Sequence, residues 1–481
     1  LSKARSELLA VDGTGPLGDE AMDKRRTGLK QIRELRAKIA PYAPVVEALP
    51  SALGSDGTRR YLVAIMNPAE MRGSGGAPLS IAMVVVKDGK ISVPMKGTAS
   101  SLYLHSPEGL QGDSPELVWK RVKGDPFQPP LGEPQRFVNT NFNPDFRVSG
   151  EQMMRSTPTF FGKRTDGVVA IDVVALAKLL DVIGPIQSDY GELNSANLVE
   201  ELLVKSYEEQ GTDVVGRQER NDALMSTMLD SLMAGGGLMG KAEAVLSVAP
   251  QRHVQMYFRD DRLQRVVERR GLAGAVPTPK TGNLTAVYTQ NGNGSKVDVF
   301  QRRTIDETVT LNKNGSATVR RSVTLDNKVP PYTGIGPDIQ RGYTTRWATN
   351  LVINLMPPGA KVTQQPDVEL ASTVDKGVDQ AGRTFANAAV VTPPGESAQL
   401  TWEYKVPKAA VPKDGGLRFI DHVLTQNTVN GFLLRTTVIA PEGWTLQRVD
   451  DALPWYVNGG QAFLQVNVDT PTRLRLQASP S

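Results

Sequence analysis

Residues 59–91, RRYLVAIMNPAEMRGSGGAPLSIAMVVVKDGKI, constrain the fold more than any other stretch. Two apolar runs, Tyr61–Met66 and Ser80–Val86, are short and rich in Val, Ile and Met. Runs of this length and composition read as buried strands rather than helices. Asp88-Gly89 closes a tight turn into a third strand around Ile91–Val93. Between the first two runs lies a loop with Glu70, Arg72 and Gly73-Ser74-Gly75-Gly76. Glycines let backbone approach a neighbour closely. The expectation is a sheet whose loop presents Arg72 to a ligand.

A chain of 481 residues exceeds one ordinary core, so two to four domains are expected. The net charge of +4, from 55 basic and 51 acidic residues, is too small to argue for nucleic acid as a partner. The absence of cysteine excludes disulfides, thiolate metal sites and cysteine nucleophiles. His105, His253 and His422 are scattered and read as surface or packing residues. No stretch approaches the ~20 apolar residues that cross a bilayer, and no signal-peptide pattern opens the sequence.

Three parts are expected. Residues 1–56 read as a helical stalk or packing segment, with a helix over 20–49. Residues 57–275 read as an α/β/α domain, because strands alternate with helical periodicity. Gly167–Asp172 is a buried strand and Val173–Ile183 a helix stopped by Gly184-Pro185. Residues 96–136 read as irregular and 137–148 as a shaped loop, with a helix over 149–162 capped by Ser149. Further helices are expected at 195–209 and 217–233, a strand at His253–Phe258 and a helix at Asp261–Arg269. Residues 276–481 read as all-β, one or two sandwiches, with alternating strands and few helices. The expected strands include Val297–Phe300.

The arginines carry the chemical signal. Arg217 and Arg220 share a helix face near its start, where phosphate oxygens are favoured and the guanidinium grips them bidentately. They equally suit surface ion pairs with Glu208, Glu209 or Glu219. Arg147 follows Asn-Pro-Asp-Phe. Asp145, Asp166 and Asp213 are candidate carboxylates for a magnesium ion beside phosphates; turn and cap chemistry is the competing reading for each. No P-loop or dinucleotide fingerprint occurs, so nucleoside triphosphate binding is unsupported.

Taken in order, these pieces resemble the bacterial LytR–CpsA–Psr family over roughly residues 58–234. The resemblance rests on YLVAIM…SIAMVVVKDGKI, FVNTNFNPDFRVSGEQM, TDGVVAIDVVALAKLLDVIGPI and TDVVGRQERNDALM. Arg72-Gly-Ser-Gly-Gly and Asn141-Phe-Asn-Pro-Asp-Phe, followed by a β-rich region, are closer to a related, functionally uncharacterised bacterial family. The resemblance implies an extracytoplasmic protein anchored at the bacterial cell membrane by an N-terminal segment. It implies binding of a polyprenyl pyrophosphate or similar anionic glycolipid, and phosphotransfer of glycopolymer to a cell-wall polymer. Carried over, Arg217 and Arg220 become pyrophosphate ligands with Lys205, Arg72 and Arg147 beside them. In place of a family motif missing here, Arg72 and Asp145 are expected as the catalytic pair, with Asp145 the Mg2+ ligand and Gly75, Gly76, Asn139 and Asn141 the loop-shaping residues. Two positions depart from the first family. Ala77-Pro78-Leu79-Ser80 stands where it has a metal-binding aspartate, and Asn221 where it has glutamine. These departures favour an alternative, a non-catalytic envelope scaffold with a degenerate α/β domain.

Overall fold

The computed structural model describes residues 2–11, 18–39, 43–98, 127, 137–205, 213–234, 237–331, 344–367 and 374–481. Most of the irregular stretch expected over 96–136 and the linker at 210–212 lie outside them. The N-terminal helical segment divides into helices Ser2–Ala10, Gly18–Ile39 and Ala43–Ala52. The last meets the first sheet, with Tyr61 donating to the Ala52 carbonyl at 2.8 Å. No helix among the described residues is long and apolar enough to cross a membrane.

The α/β part is built on β1 (Arg59–Arg72), β2 (Gly75–Lys87), β3 (Lys90–Thr98) and β4 (Gly167–Asp172). A small hairpin, β5 (Ile186–Ser188) and β6 (Gly191–Leu193), stands apart, and β7 (Val254–Phe258) completes the sheet. The order is β3-β2-β1-β4-β7. β1 and β4 are parallel, with Leu62 opposite Val168, and the other pairs are antiparallel. Alternation along β1 explains the layers. Leu62, Ala64 and Met66 face Phe146, Met153 and Met154 of helix Phe146–Phe161. Ile65 faces the other layer, where helices Val173–Ile183, Val214–Ala234 and Leu238–Ser247 gather around Leu176, Leu180, Leu224 and Met228. The result is a three-layer α/β/α arrangement.

Helix Phe146–Phe161 starts three residues before the expected position. Asp145, not Ser149, is its N-cap; the buried Ser149 hydroxyl instead donates to the Asn143 carbonyl at 2.8 Å. Of the helix expected over 195–209, the described residues form a turn at Leu198–Glu200 running into a π-helical turn, Glu201–Lys205; 206–209 lie outside them.

The β-rich part contains β8 (Asn283–Asn291), β9 (Gln301–Leu311), β10 (Ala317–Asn327), β11 (Ala348–Met356), β12 (Lys361–Gln364), β13 (Val374–Val378), β14 (Thr384–Thr392) and β15 (Ser397–Val406). It continues with β16 (Ala410–Lys413), β17 (Gly416–Val423), β18 (Phe432–Ile439), β19 (Trp444–Arg448), β20 (Tyr456–Asn458), β21 (Gln461–Val468) and β22 (Thr472–Pro480). Two sheets form, β12-β15-β10-β9-β18-β21-β20 and β13-β14-β11-β8-β17-β22-β19, with β16 on β17. One core lies between them, where Val309, Val319, Val323 and Trp402 meet Val352, Phe419, Leu474 and Leu476. This is one sandwich rather than two. Val297–Phe300 is not a strand: Asp298–Phe300 is a 3-10 turn that aims a buried aspartate at the α/β part.

Candidate functional site

The hairpin joining β1 to β2 does not present Arg72 outward. Arg72 is only 6% exposed. Its Nη2 donates to Glu70 Oε1 at 2.7 Å and its Nη1 to the Met71 carbonyl at 3.0 Å. The guanidinium carbon lies 5.7 Å from the centre of the Phe142 ring. Glu70 also pairs with Lys296, which stands before β9 in the sandwich. Burial pushes the Glu70 carboxyl up, but the charges of Lys296 and Arg72 outweigh it and hold its pKa at about 2.

The same hairpin is bonded to the sandwich along its backbone. Met71 N–H donates to Asp298 Oδ2 at 2.8 Å, and Gln426 Nε2 donates to the Arg72 carbonyl at 2.8 Å. Gln255 Nε2 donates to the Ser74 carbonyl at 2.7 Å. The glycines let the hairpin pack closely against its neighbours. A Cβ on Gly73 would stand 1.9 Å from the Phe142 carbonyl oxygen, and one on Gly76 2.1 Å from the Asn67 carbonyl oxygen. Gly75 has φ +125° and a Cβ there would meet Asn427 Nδ2 at 2.5 Å. Asn141 Nδ2 donates to the Gly76 carbonyl at 2.9 Å, and Asn139 Oδ1 faces Arg72 Nε at 3.4 Å. The close approach expected toward a ligand is made to the chain's own backbone.

Asp145 is likewise occupied. It accepts from Arg147 N, Nε and Nη2, the last at 2.6 Å, and from Val276 N at 3.3 Å. The side chain of Arg147 is 42% exposed and also approaches Glu268 at 3.9 Å. Asp166 accepts from Arg60 N and Asp213 from Gly216 N, both backbone groups. Among the described residues no group of three or more His, Asp or Glu is placed to hold a metal ion. The donor set around Asp145 does not fit the magnesium ion expected there, because arginine and backbone donors already engage both of its oxygens.

A different arrangement forms at the helical layer. Glu201, on the π-helical turn, is buried and receives two cations. Lys205 Nζ lies 2.5 Å from Oε1, and Arg220 Nη2 lies 3.0 Å from Oε2. Arg220 Nη1 also donates to the Glu201 carbonyl at 3.0 Å, and its guanidinium stands 5.1 Å from the centre of the Tyr190 ring. Arg217 is one turn earlier on helix Val214–Ala234, and its side chain lies outside the described residues. The cluster borders the apolar layer of Leu202, Leu203, Leu224 and Met225. The structure thus brings Lys205 and Arg220 together and holds Arg72, Asp145 and Arg147 in other hydrogen-bonded sets.

One buried pair escaped the sequence reading. Asp172 caps helix Val173–Ile183 through Oδ1, and its Oδ2 meets His253 Nδ1 at 2.6 Å. Burial lowers the His253 pKa, but the charge and hydrogen bond of Asp172 reverse the sign and raise it. Asn427 Nδ2, from the segment after β17, approaches the same oxygen at 3.5 Å. The signal available was Asp172 at a strand-to-helix junction, a cap position; nothing local linked it to His253.

Fold and site together define an α/β/α unit joined through a buried polar seam to a β-sandwich, with a cationic cluster on its helical layer. A family model described as "Protein of unknown function (DUF4012)" matches residues 56–207. No curated protein matches the sequence significantly. Among solved structures, a transcriptional regulator from Enterococcus faecalis is similar with a TM-score of 0.27 at 12% identity, over 48% of this chain and 78% of that one. A transcriptional regulator from Bacillus subtilis gives 0.24 at 12% identity, over 44% and 76%. B. subtilis TagV gives 0.23 at 15% identity, over 45% and 80%.

Proposed function

We propose that this chain is a cell-envelope protein, working outside the cell membrane, that binds a polyprenyl-linked pyrophosphate or a similar anionic glycolipid. The observation that carries the reading is the meeting of Lys205 and Arg220 on the buried Glu201 at the edge of an apolar layer. Lys205, whose side chain is 39% exposed, reaches a pyrophosphate oxygen directly, while Arg220, buried against Glu201, adds positive potential behind it. Arg217 lies one turn earlier on the helix of Arg220.

The reading is one of binding. Arg72 and Asp145, the pair implied for catalysis, are spent on internal ion pairs. This favours recognition of the glycolipid, and interaction with a cell-wall polymer, over phosphotransfer.

The test is calorimetric titration of farnesyl pyrophosphate into the purified chain, with and without Mg2+, against a Lys205→Ala/Arg217→Ala variant. Saturable binding weakened at least tenfold in the variant supports the proposal. No binding by the intact chain, or equal binding by both, overturns it.

A further inference from the structure

The outer face of the sandwich holds a second cationic site, which none of the chemistry above uses. On β17 the alternation buries Asp421 and Val423 and turns Ile420 and His422 outward. On β22 it buries Leu474 and Leu476 and turns Arg473 and Arg475 outward. The strands are antiparallel neighbours, with His422 opposite Arg473 and Ile420 opposite Arg475. His422, Arg473 and Arg475 line a cleft of about 570 Å³, within the size range of small-molecule sites.

The cleft is chemically two-sided. Leu424, Leu453 and Pro277 contribute apolar wall. Its charged lining is Arg252, Arg473 and Arg475, with His422 among them, against one carboxylate, Asp450. Arg475 reaches Asp450 at 3.4 Å, with both side chains 43% exposed. Arg252 spends its Nη donors on the Pro144, Gly274 and Thr425 carbonyls and adds positive potential to the cleft. Arg473 is exposed and makes no hydrogen bond or ion pair with the described residues. Placing it directly across from an imidazole costs stability whenever that ring is charged. Burial and Arg473 together lower the His422 pKa, which registers the same surplus of positive charge. An anion seated between the two strands offsets it.

We propose that this cleft binds an organic phosphate, with Arg473 and Arg475 gripping the phosphate oxygens and the apolar wall receiving the attached group. Arg473 and Arg475 lie on the same face of one strand, two residues apart, so their guanidinium groups reach a common phosphate. The apolar wall distinguishes a phosphate ester from the inorganic ion.

The experiment titrates phenyl phosphate, inorganic phosphate and phenol into the intact chain, into Arg473→Ala/Arg475→Ala, and into Lys205→Ala. Both arginines are exposed, so their removal leaves the fold intact, which circular dichroism checks. The expected result is saturable binding of phenyl phosphate, stronger than that of inorganic phosphate, with none for phenol. Affinity falls at least tenfold in the double variant and is unchanged in Lys205→Ala. No binding by the intact chain, or equal affinity in the double variant, overturns the proposal. A loss confined to Lys205→Ala also overturns it and moves the phosphate to the Glu201 cluster.

Discussion

Glu70 and Lys296 form a buried ion pair that joins the α/β unit to the sandwich. The two residues are separated by 226 positions in sequence, and Arg72 completes the group from the other side of the carboxylate. Glu70→Gln leaves Lys296 and Arg72 without their counter-charge in a buried setting. Breaking such a pair costs about 3–5 kcal/mol. Urea unfolding at neutral pH should show a loss of that size, and a loss under about 1 kcal/mol would mean that water reaches the seam.

The same pair sets an acid limit. Its folded-state pKa of about 2 lies below the ordinary 4.5 for glutamate. A depressed carboxylate stabilises the fold fully above its unfolded value, and that contribution disappears as pH falls through the folded one. The difference in stability between the natural chain and Glu70→Gln should therefore be constant above about pH 5. It should shrink by about 3 kcal/mol between pH 4.5 and 2, as a shift of this size implies. Unfolding midpoints of both chains across that range check it; a pH-independent difference would refute the assignment.

Within the sandwich, Glu307 and Asp421 are both buried but carry different roles. Arg321 donates to Glu307, while Asp421 accepts from the Thr285 hydroxyl at 2.7 Å and from Asn283. Burial and the Glu307 charge raise the Asp421 pKa well above the usual aspartate value. An amide replaces a carboxyl held toward its neutral form at small cost. Asp421→Asn should change stability by less than about 1 kcal/mol at neutral pH, whereas Glu307→Gln should lose about 3 kcal/mol by stranding Arg321. Guanidinium melts of both variants decide this, and equal losses would contradict it.

Gly73 and Gly89 separate close approach from backbone strain. A Cβ at Gly73 would collide with the Phe142 carbonyl oxygen at 1.9 Å, whereas at Gly89, with φ +74°, it meets nothing within 4 Å. Gly89→Ala should cost about 1 kcal/mol from left-handed strain. Gly73→Ala should cost at least about 2 kcal/mol by forcing the 140–143 backbone away. Thermal denaturation of the pair gives the ordering, which reverses if segment 140–143 yields freely.

Local chemistry was legible where it decided structure. Gly167–Asp172, Val173–Ile183 and Asp261–Arg269 begin and end where their periodicity and caps place them. The change to β texture after residue 275 was equally plain. Partners distant in the chain were not legible. Arg72 in a glycine-rich loop reads the same whether it faces a ligand or a glutamate pinned by Lys296. Arg220 was matched to nearby glutamates, yet its carboxylate is Glu201, 19 residues earlier on a separate turn. Asp298 sits in a short apolar run whose periodicity suits a strand, but its carboxylate is needed by Met71 N–H, and the backbone turns to deliver it. The middle of β14, Ala386-Asn387-Ala388-Ala389, lacks the branched residues that mark a strand, because Ala386 and Ala388 are buried in the sandwich core.

The central claim is that anions are held at the Glu201 cluster and not at the β1–β2 hairpin. The most direct measurement is the affinity of farnesyl pyrophosphate for Lys205→Ala and Glu70→Gln, each made in an Arg473→Ala/Arg475→Ala background so that the sandwich cleft does not contribute, at a temperature where both are folded. The account predicts a loss of at least tenfold for Lys205→Ala and an unchanged affinity for Glu70→Gln. A loss in Glu70→Gln with Lys205→Ala unaffected would return the ligand to the hairpin and contradict the account.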